Sequence, residues 1–143
     1  MENRGQIGIE YLIIASFVTF IVIGILSIAL FFSNSIKDEL VNSQVEGFAN
    51  DLISSSESIF FAGEPSKIEI TLFLPKGVSD IYLDPGNSNN LVIETQNSGG
   101  TNLRVYKSQV PLIINTISPS EGLKVFTLIA TPTGVNIDQV GGT

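Results

Sequence analysis

The feature that most constrains this chain is a long apolar segment near its N-terminus. Residues 11–32 contain no charged side chain, and the apolar run is interrupted only by Ser16, Thr19, Gly24 and Ser27. At about 1.5 Å per helical residue the segment reaches roughly 33 Å, which is enough to cross the hydrocarbon core of a bilayer. A carboxylate, Glu10, immediately precedes it, and a charged group at the edge of lipid is costly enough to need an explanation.

The rest of the chain has the composition of one acidic, soluble domain. About 110 residues follow the apolar segment, which is enough to form a modest hydrophobic core. Fourteen acidic residues against seven basic residues give the whole chain a net charge of −7. Because a protein that binds phosphate polymers needs clustered lysine and arginine, we expect no nucleic-acid partner.

Cysteine and histidine are both absent from the chain. Their absence excludes disulfides, thiolate chemistry, acid–base catalysis by histidine and the usual zinc sites. The sequence therefore predicts that the protein is not an enzyme, with no catalytic, cofactor-binding or metal-binding residue.

Helical patterns occupy the first part of the chain. Beyond the apolar segment, apolar residues recur at three- to five-residue steps and predict an amphipathic helix as far as Phe60. Gly47 and Ser54–Ser56 weaken this helix and allow a break near either of them. Gly63 and Pro65 predict its end.

Short runs of alternating apolar residues predict a β domain after the helix. A polar loop is expected over residues 85–90, and a hairpin turn at Ser98-Gly99-Gly100. The predicted strands are Ile68–Leu74, Asp80–Asp84, Leu91–Thr95, Leu103–Tyr106, Pro111–Ile117, Leu123–Thr131 and Val135–Val140. We therefore expect an α+β fold, in which a long N-terminal helix, transmembrane in its first half and amphipathic in its second, packs on a C-terminal antiparallel β domain.

The residues that lead into the apolar segment form a pattern of their own. Gln6, Gly8 and Glu10 stand at alternate positions, and aliphatic residues follow at 12–14. This arrangement resembles the class III signal peptide of archaeal type IV pilins, in which a Gln is followed by a small residue, a Glu and then aliphatic residues. The resemblance implies that a prepilin peptidase cuts between Gly5 and Gln6 on the cytoplasmic side of the membrane, and that the apolar helix stays in the mature protein.

The same resemblance implies a type IV pilin-like fold and a division of the chain into four parts. The implied parts are a cleaved leader at 1–5, an apolar assembly and transmembrane helix at 6–35, an amphipathic helix at 36–63 and a β-rich head at 64–143. It also implies that the new ammonium at Gln6 meets Glu10 of a neighbouring subunit, because pairing the two relieves the cost of burying either charge alone. The alternative is that Glu10 is solvated among lipid headgroups and only marks the edge of the membrane.

The function that this resemblance implies is structural. The protein would be a pilin of an archaeal type IV pilus-like surface filament, polymerised through its N-terminal helix and serving adhesion. Its expected partners are further copies of the chain in a helical filament, the prepilin peptidase, and the pilus assembly platform with its ATPase machinery. The membrane would hold the precursor, and the mature subunit would lie in an extracellular filament. Archaellins share the helix-then-β arrangement, but the Gln-x-Gly-x-Glu start fits the class III pilins better.

Other readings of the chain remain open. A single-pass, membrane-anchored extracytoplasmic binding domain that does not polymerise would also need the apolar segment and the β domain, but it leaves the N-terminal motif without a role. An anchored or secreted enzyme is a further alternative. A conventional signal peptidase could also cut at Ser33-Asn34-Ser35, and that cut would discard the apolar helix.

Three groups of polar residues in the β region are candidates for chemistry. The segment Asp84–Asn90 offers oxygens for Ca²⁺, although a polar turn explains it better because it contains one carboxylate. Glu64, Glu69 and Glu94 are too scattered to predict an acid pair. A serine activated by a lysine is a formal alternative, for which the candidate bases are Lys67, Lys76, Lys107 and Lys124.

Overall fold

The computed structural model describes residues 3–97 and 99–142, and it describes their side chains except at residues 3–7, 34 and 35. Helix α1 covers Asn3–Ala62 and precedes every strand. The chain divides into two compact units, of which the first ends at Lys37 and the second begins at Asp38. The first unit is therefore the apolar part of α1, and the second contains the rest of α1 together with the β-sheets.

The first unit is an apolar helix that its own chain leaves uncovered. Between Gly8 and Ser33 every described side chain is exposed, apart from half-buried Ala15. The hydroxyls of Thr19 and Ser27 donate to the carbonyl oxygens four residues earlier, at 2.8 Å in each case. Because these hydroxyls find acceptors within the helix itself, they interrupt the apolar surface without adding an unpaired polar group.

The part of α1 in the second unit buries one face. The buried residues are Val45, Phe48, Ala49, Leu52, Ile53, Ser56 and Ile59. They recur at steps of three and four residues, which places them along one side of an α-helix. The exposed side carries acidic residues such as Glu46 and Asp51. Burial of this face explains why the predicted helix is stable here.

Gly47 and Ser54–Ser56 do not break the helix. Ser56 is fully buried, and its hydroxyl donates to the carbonyl of Leu52 at 2.7 Å, so that it needs no other partner. The helix ends at Ala62, and Gly63 follows with a φ of 81°. The backbone N–H of Gly63 donates to the carbonyl of Phe60 at 3.1 Å, which closes the last turn as a positive-φ glycine typically does.

Two sheets complete the second unit. The strands are β1 Lys67–Leu74, β2 Val78–Asp84, β3 Asn87–Asn97, β4 Gly100–Lys107, β5 Leu112–Ile114, β6 Gly122–Thr131 and β7 Gly134–Gly142. Among the described residues, one sheet has the order β1-β6-β7-β5 and the other has the order β2-β3-β4. The layout is thus α+β, as expected, with a long N-terminal helix packed on β-sheets.

The sheets are not wholly antiparallel, and this corrects the expected topology. β5 runs parallel to β7, with Leu112 opposite Val135 and Ile114 opposite Ile137. The reason is that β6 and β7 form an antiparallel hairpin, while the chain reverses between β5 and β6 and passes over β7. β5 therefore runs opposite to β6, and because β7 also runs opposite to β6, β5 and β7 run in the same direction. β5 is also shorter than the predicted strand over Pro111–Ile117.

The polar loop predicted over residues 85–90 is shorter in the structure. Residues 87–90 belong to β3, and only residues 85 and 86 form the turn. Asn90 lies opposite Lys107 of β4, and the side-chain amide of Asn89 donates to the carbonyl of Ser108 at 3.3 Å. The strand extends because Asp84 of β2 pairs with Asn87, and Ser108, just after β4, pairs with Asn89, and local composition does not reveal these partners. The β3–β4 hairpin lies where it was expected, and Ser98 of its turn falls outside the described residues.

One hydrophobic core joins α1 to both sheets in the second unit. Phe48 of α1 packs edge-to-face on Phe126 of β6, with ring centroids 5.9 Å apart. Ile93 of β3 and Ile137 of β7 are both fully buried in the same cluster. The helix therefore lies over a surface to which strands from both sheets contribute.

Removing a side chain from this core should cost much more than removing one from the surface. Leu52 is fully buried, so Leu52→Ala should lower the free energy of unfolding by about 2–5 kcal/mol. Leu103→Ala deletes the same atoms from a side chain that is 59% exposed, and we expect a change of about 0.5 kcal/mol or less. Urea unfolding of the full chain in mild detergent, followed by circular dichroism, measures both. Equal losses would contradict the core described above.

Candidate functional site

The first candidate site is the exposed apolar surface of the first unit. Phe20 is 75% exposed and Phe31 is 74% exposed, and the aliphatic side chains between them are exposed as well. A continuous apolar surface of this size is not stable in water, so it requires lipid or other apolar chains as a cover. Among the described residues, α1 is the one helix that is long and apolar enough to cross a membrane. The helix is therefore compatible with membrane anchoring.

The predicted processing and assembly residues lie at the start of this helix. Glu10 is exposed, and a Cβ added at Gly8 would meet nothing within 4 Å. The backbone of Gly5 and Gln6 is helical, and their side chains lie outside the described set. Positions 6 and 10 are four residues apart, so they share one face of α1. The roles assigned to Gly5, Gln6, Gly8 and Glu10 stay predictions.

The candidate cation-binding segment is a turn that satisfies its own carboxylate. The Gly86 N–H donates to Asp84 Oδ1 at 3.0 Å, and the Asn90 amide donates to Asp84 Oδ2 at 3.3 Å. These two hydrogen bonds, with Gly86 contributing most, lower the pKa of Asp84 against a small opposing effect of desolvation. Among the described residues, no group of three or more acidic side chains is placed to hold a metal ion. The segment acts as an Asx-type turn.

A cleft of about 480 Å³ lies in the second unit, and the sequence reasoning missed it. Its walls come from the last turns of α1, including Ser54, Ser58 and Ala62, and from the start of β1, including Lys67 and Ile68. The available signal was a small residue at every fourth position of α1 from Ser54 to Ala62. The scattered Glu64 and Glu69 are not part of its lining.

The structure brings together one of the serine–lysine pairs that the composition allows. Lys124 Nζ lies 2.6 Å from Ser120 Oγ, and Ser120 Oγ lies 3.0 Å from Ser118 Oγ. No hydrogen bond joins Lys67, Lys76 or Lys107 to a serine within residues 3–97 and 99–142. The sequence named Lys124 as one of four candidates but gave no reason to prefer it. What distinguishes Lys124 is its place in the alternation of β6, where it falls on the same face as the apolar residues Phe126 and Leu128.

Comparison of the chain with protein-family models, curated proteins and solved structures finds no match. The function is therefore inferred from the residues and geometry of this chain.

The pKa of Asp84 provides a test of the turn. Because the pKa is lowered in the folded state, the carboxylate favours folding above the ordinary aspartate value, and this contribution is lost as pH falls through the lowered value. Removing one of the two donors with Asn90→Ala should raise the pKa of Asp84. Asn102→Ala, at an exposed position, is the matched control and should leave it unchanged. The carboxyl ¹³C shift followed against pH measures the effect, and equal values in both variants would contradict the assigned hydrogen bond.

Proposed function

We propose that this protein is the structural subunit of a type IV pilus-like surface filament. The observation that carries the proposal is the division of α1 between two environments. Its second part finds an apolar partner within the chain, whereas residues 8–33 present an apolar surface that the described part of the chain does not cover. A subunit that first sits in a membrane and then joins a bundle of identical helices needs such a surface.

The chemistry of the N-terminal motif supports assembly over a permanent anchor. A cut before Gln6 creates an ammonium four residues from Glu10, and each charge alone is costly at the edge of an apolar helix. Pairing the ammonium of one subunit with Glu10 of the next removes both costs when the helices come together. A plain anchor has no use for this pair.

The transfer from lipid to a helix bundle is energetically feasible. Lipid tails and a core of Ile, Leu, Val and Phe are similarly apolar, so the driving force comes from close packing and loss of lipid exposure. The hydroxyls of Thr19 and Ser27 are bonded to their own helix and impose no preference between the two environments. The acidic β-rich unit would then form the outer surface of the filament, where we assign it a role in adhesion.

The N-terminus of the mature protein is the first test. Mass spectrometry of the protein from its native host should find a chain that begins at Gln6, either as glutamine or as pyroglutamate. A chain that begins at Met1 would indicate a permanently anchored binding domain, and one that begins at Ile36 would indicate a conventional secretory signal. Either result would overturn the proposed processing.

Replacing the carboxylate tests the assembly role of Glu10. In Glu10→Ala the ammonium at Gln6 loses its partner, and we expect incorporation into filaments to fall by about tenfold or more while membrane insertion is unchanged. Glu46→Ala removes an exposed carboxylate from the second unit and serves as the control, with normal incorporation expected. Subunit quantities in sheared filaments and in membranes give the two readouts. Normal filaments from Glu10→Ala would remove the proposed role.

A further inference from the structure

A lysine occupies a core position on β6. Lys124 is 1% exposed and points to the same face of its strand as Phe126 and Leu128, which are fully buried. Its neighbours across the sheet are Leu72 of β1 and Gly142 of β7. Burying an ammonium is expensive unless it is paired or hydrogen-bonded, so a lysine at this position needs a compensating interaction.

The sheet makes room for the lysine stem at Gly142. A Cβ built there would lie 2.8 Å from Lys124 Cδ and 2.9 Å from the carbonyl oxygen of Leu123. Neither distance is tolerable, so a side chain at position 142 would displace the lysine. The missing side chain lets the lysine stem lie across β7 and carries its ammonium toward the loop between β5 and β6.

The ammonium is only partly satisfied by the chain. An ammonium has three donors and no acceptor capacity. Ser120 Oγ, at 2.6 Å, accepts one of these hydrogens. Within the described part of the chain, no carboxylate and no second acceptor completes the set around Nζ. A buried positive charge with one neutral acceptor is therefore left in need of a negative partner.

The two serines connect the buried ammonium to the surface of the protein through hydrogen bonds. Because Lys124 can only donate, Ser120 Oγ must act as an acceptor from it, and Ser118 Oγ lies 3.0 Å further on. Two hydroxyl hydrogens are present, and the contact between the serines uses one of them, whichever is the donor. One hydroxyl hydrogen is left over, polarised by the ammonium behind it. Ser120 is exposed and Ser118 is half-buried, so the free hydrogen can reach an acceptor from solvent whichever serine carries it.

The loop that carries the serines is held in place by β7. Gln139 Oε1 accepts the backbone N–H of Ser118 at 2.9 Å, and Gln139 Nε2 donates to the carbonyl of Gly141 at 3.4 Å. Ile117, the residue before Ser118, is buried in the core. The hydroxyls are thus positioned before any ligand arrives, which reduces the entropy lost on binding.

We propose that Ser118, Ser120 and Lys124 form an oxyanion-binding site, in which the remaining serine hydroxyl hydrogen is donated to a carboxylate or phosphate oxygen and the buried ammonium supplies the opposite charge. The ligand is defined by this chemistry, because the buried positive charge beside the free hydroxyl hydrogen attracts an anion and repels a cation. The site lies in the second unit and is independent of the proposed role of Glu10.

The test is a titration of the full chain in mild detergent with sodium phosphate and, separately, with sodium acetate. Sodium chloride keeps the ionic strength constant, and the amide NMR signals of Ser118, Ser120 and Lys124 are followed. We expect saturable shifts with at least one of the two anions. Saturation by phosphate alone or acetate alone supports the site and identifies the geometry of its ligand, whereas no saturable shift with either overturns it.

Three variants test the assignment to these residues. Lys124→Met keeps an unbranched apolar stem and should weaken binding by about tenfold or more. Ser120→Ala should weaken it by about threefold to tenfold. Lys107→Met removes an equal charge from an exposed position on β4 and should leave the affinity unchanged.

The variants also cover a failure of folding. If Lys124→Met changes the circular dichroism spectrum, the decision passes to Ser120→Ala, whose substitution lies at the surface. Unchanged affinity in a folded Ser120→Ala variant would overturn the site, and so would an equal loss in Lys107→Met, because binding would then follow net charge alone.

Discussion

The second unit depends on the burial of one helix face against both sheets. Phe48 packs on Phe126 of β6, and the fully buried Leu52 belongs to the same core as Ile93 of β3. The two sheets share no strand, and the helix face packs in one core with buried side chains from both of them. At about 25 cal/mol per Å² of buried apolar surface, this packing supplies the main stabilising term for a unit that has no disulfide to help it.

The same helix shows why an internal partner matters to function. Ile53 is 7% exposed because the sheets cover it, whereas Ile25, of the same residue type, is 61% exposed. The free energy that burial gives to Ile53 within the chain is available to Ile25 only through lipid or another chain. In the proposed function, lipid covers this apolar surface before assembly and the helices of other subunits cover it afterwards. The same side chains therefore serve both states.

The sequence predicted elements whose causes are local and missed those whose causes are not. The helix ends where Gly63 and Pro65 predicted, and β1 matches its alternation closely, because periodicity and turn chemistry act over a few residues. The parallel pairing of β5 with β7 depends on which strand the chain passes over, and no local pattern records that. At the candidate sites, the sequence marked Glu10 and Asp84, but the contact between Ser120 and Lys124 required the sheet register and the space above Gly142.

Asp84 and Lys124, both charged residues of the second unit, differ in how fully the chain satisfies their hydrogen-bonding groups. Both oxygens of Asp84 accept hydrogen bonds within its own turn, and the residue is only half-buried, so it needs no further partner. Lys124 is buried and has one neutral acceptor for three donors. A hydrophobic residue of similar volume on β6 would avoid the desolvation cost that the lysine incurs. That cost is offset when an oxyanion meets the serine hydroxyls, and this is the physical reason to regard the lysine as part of a binding site.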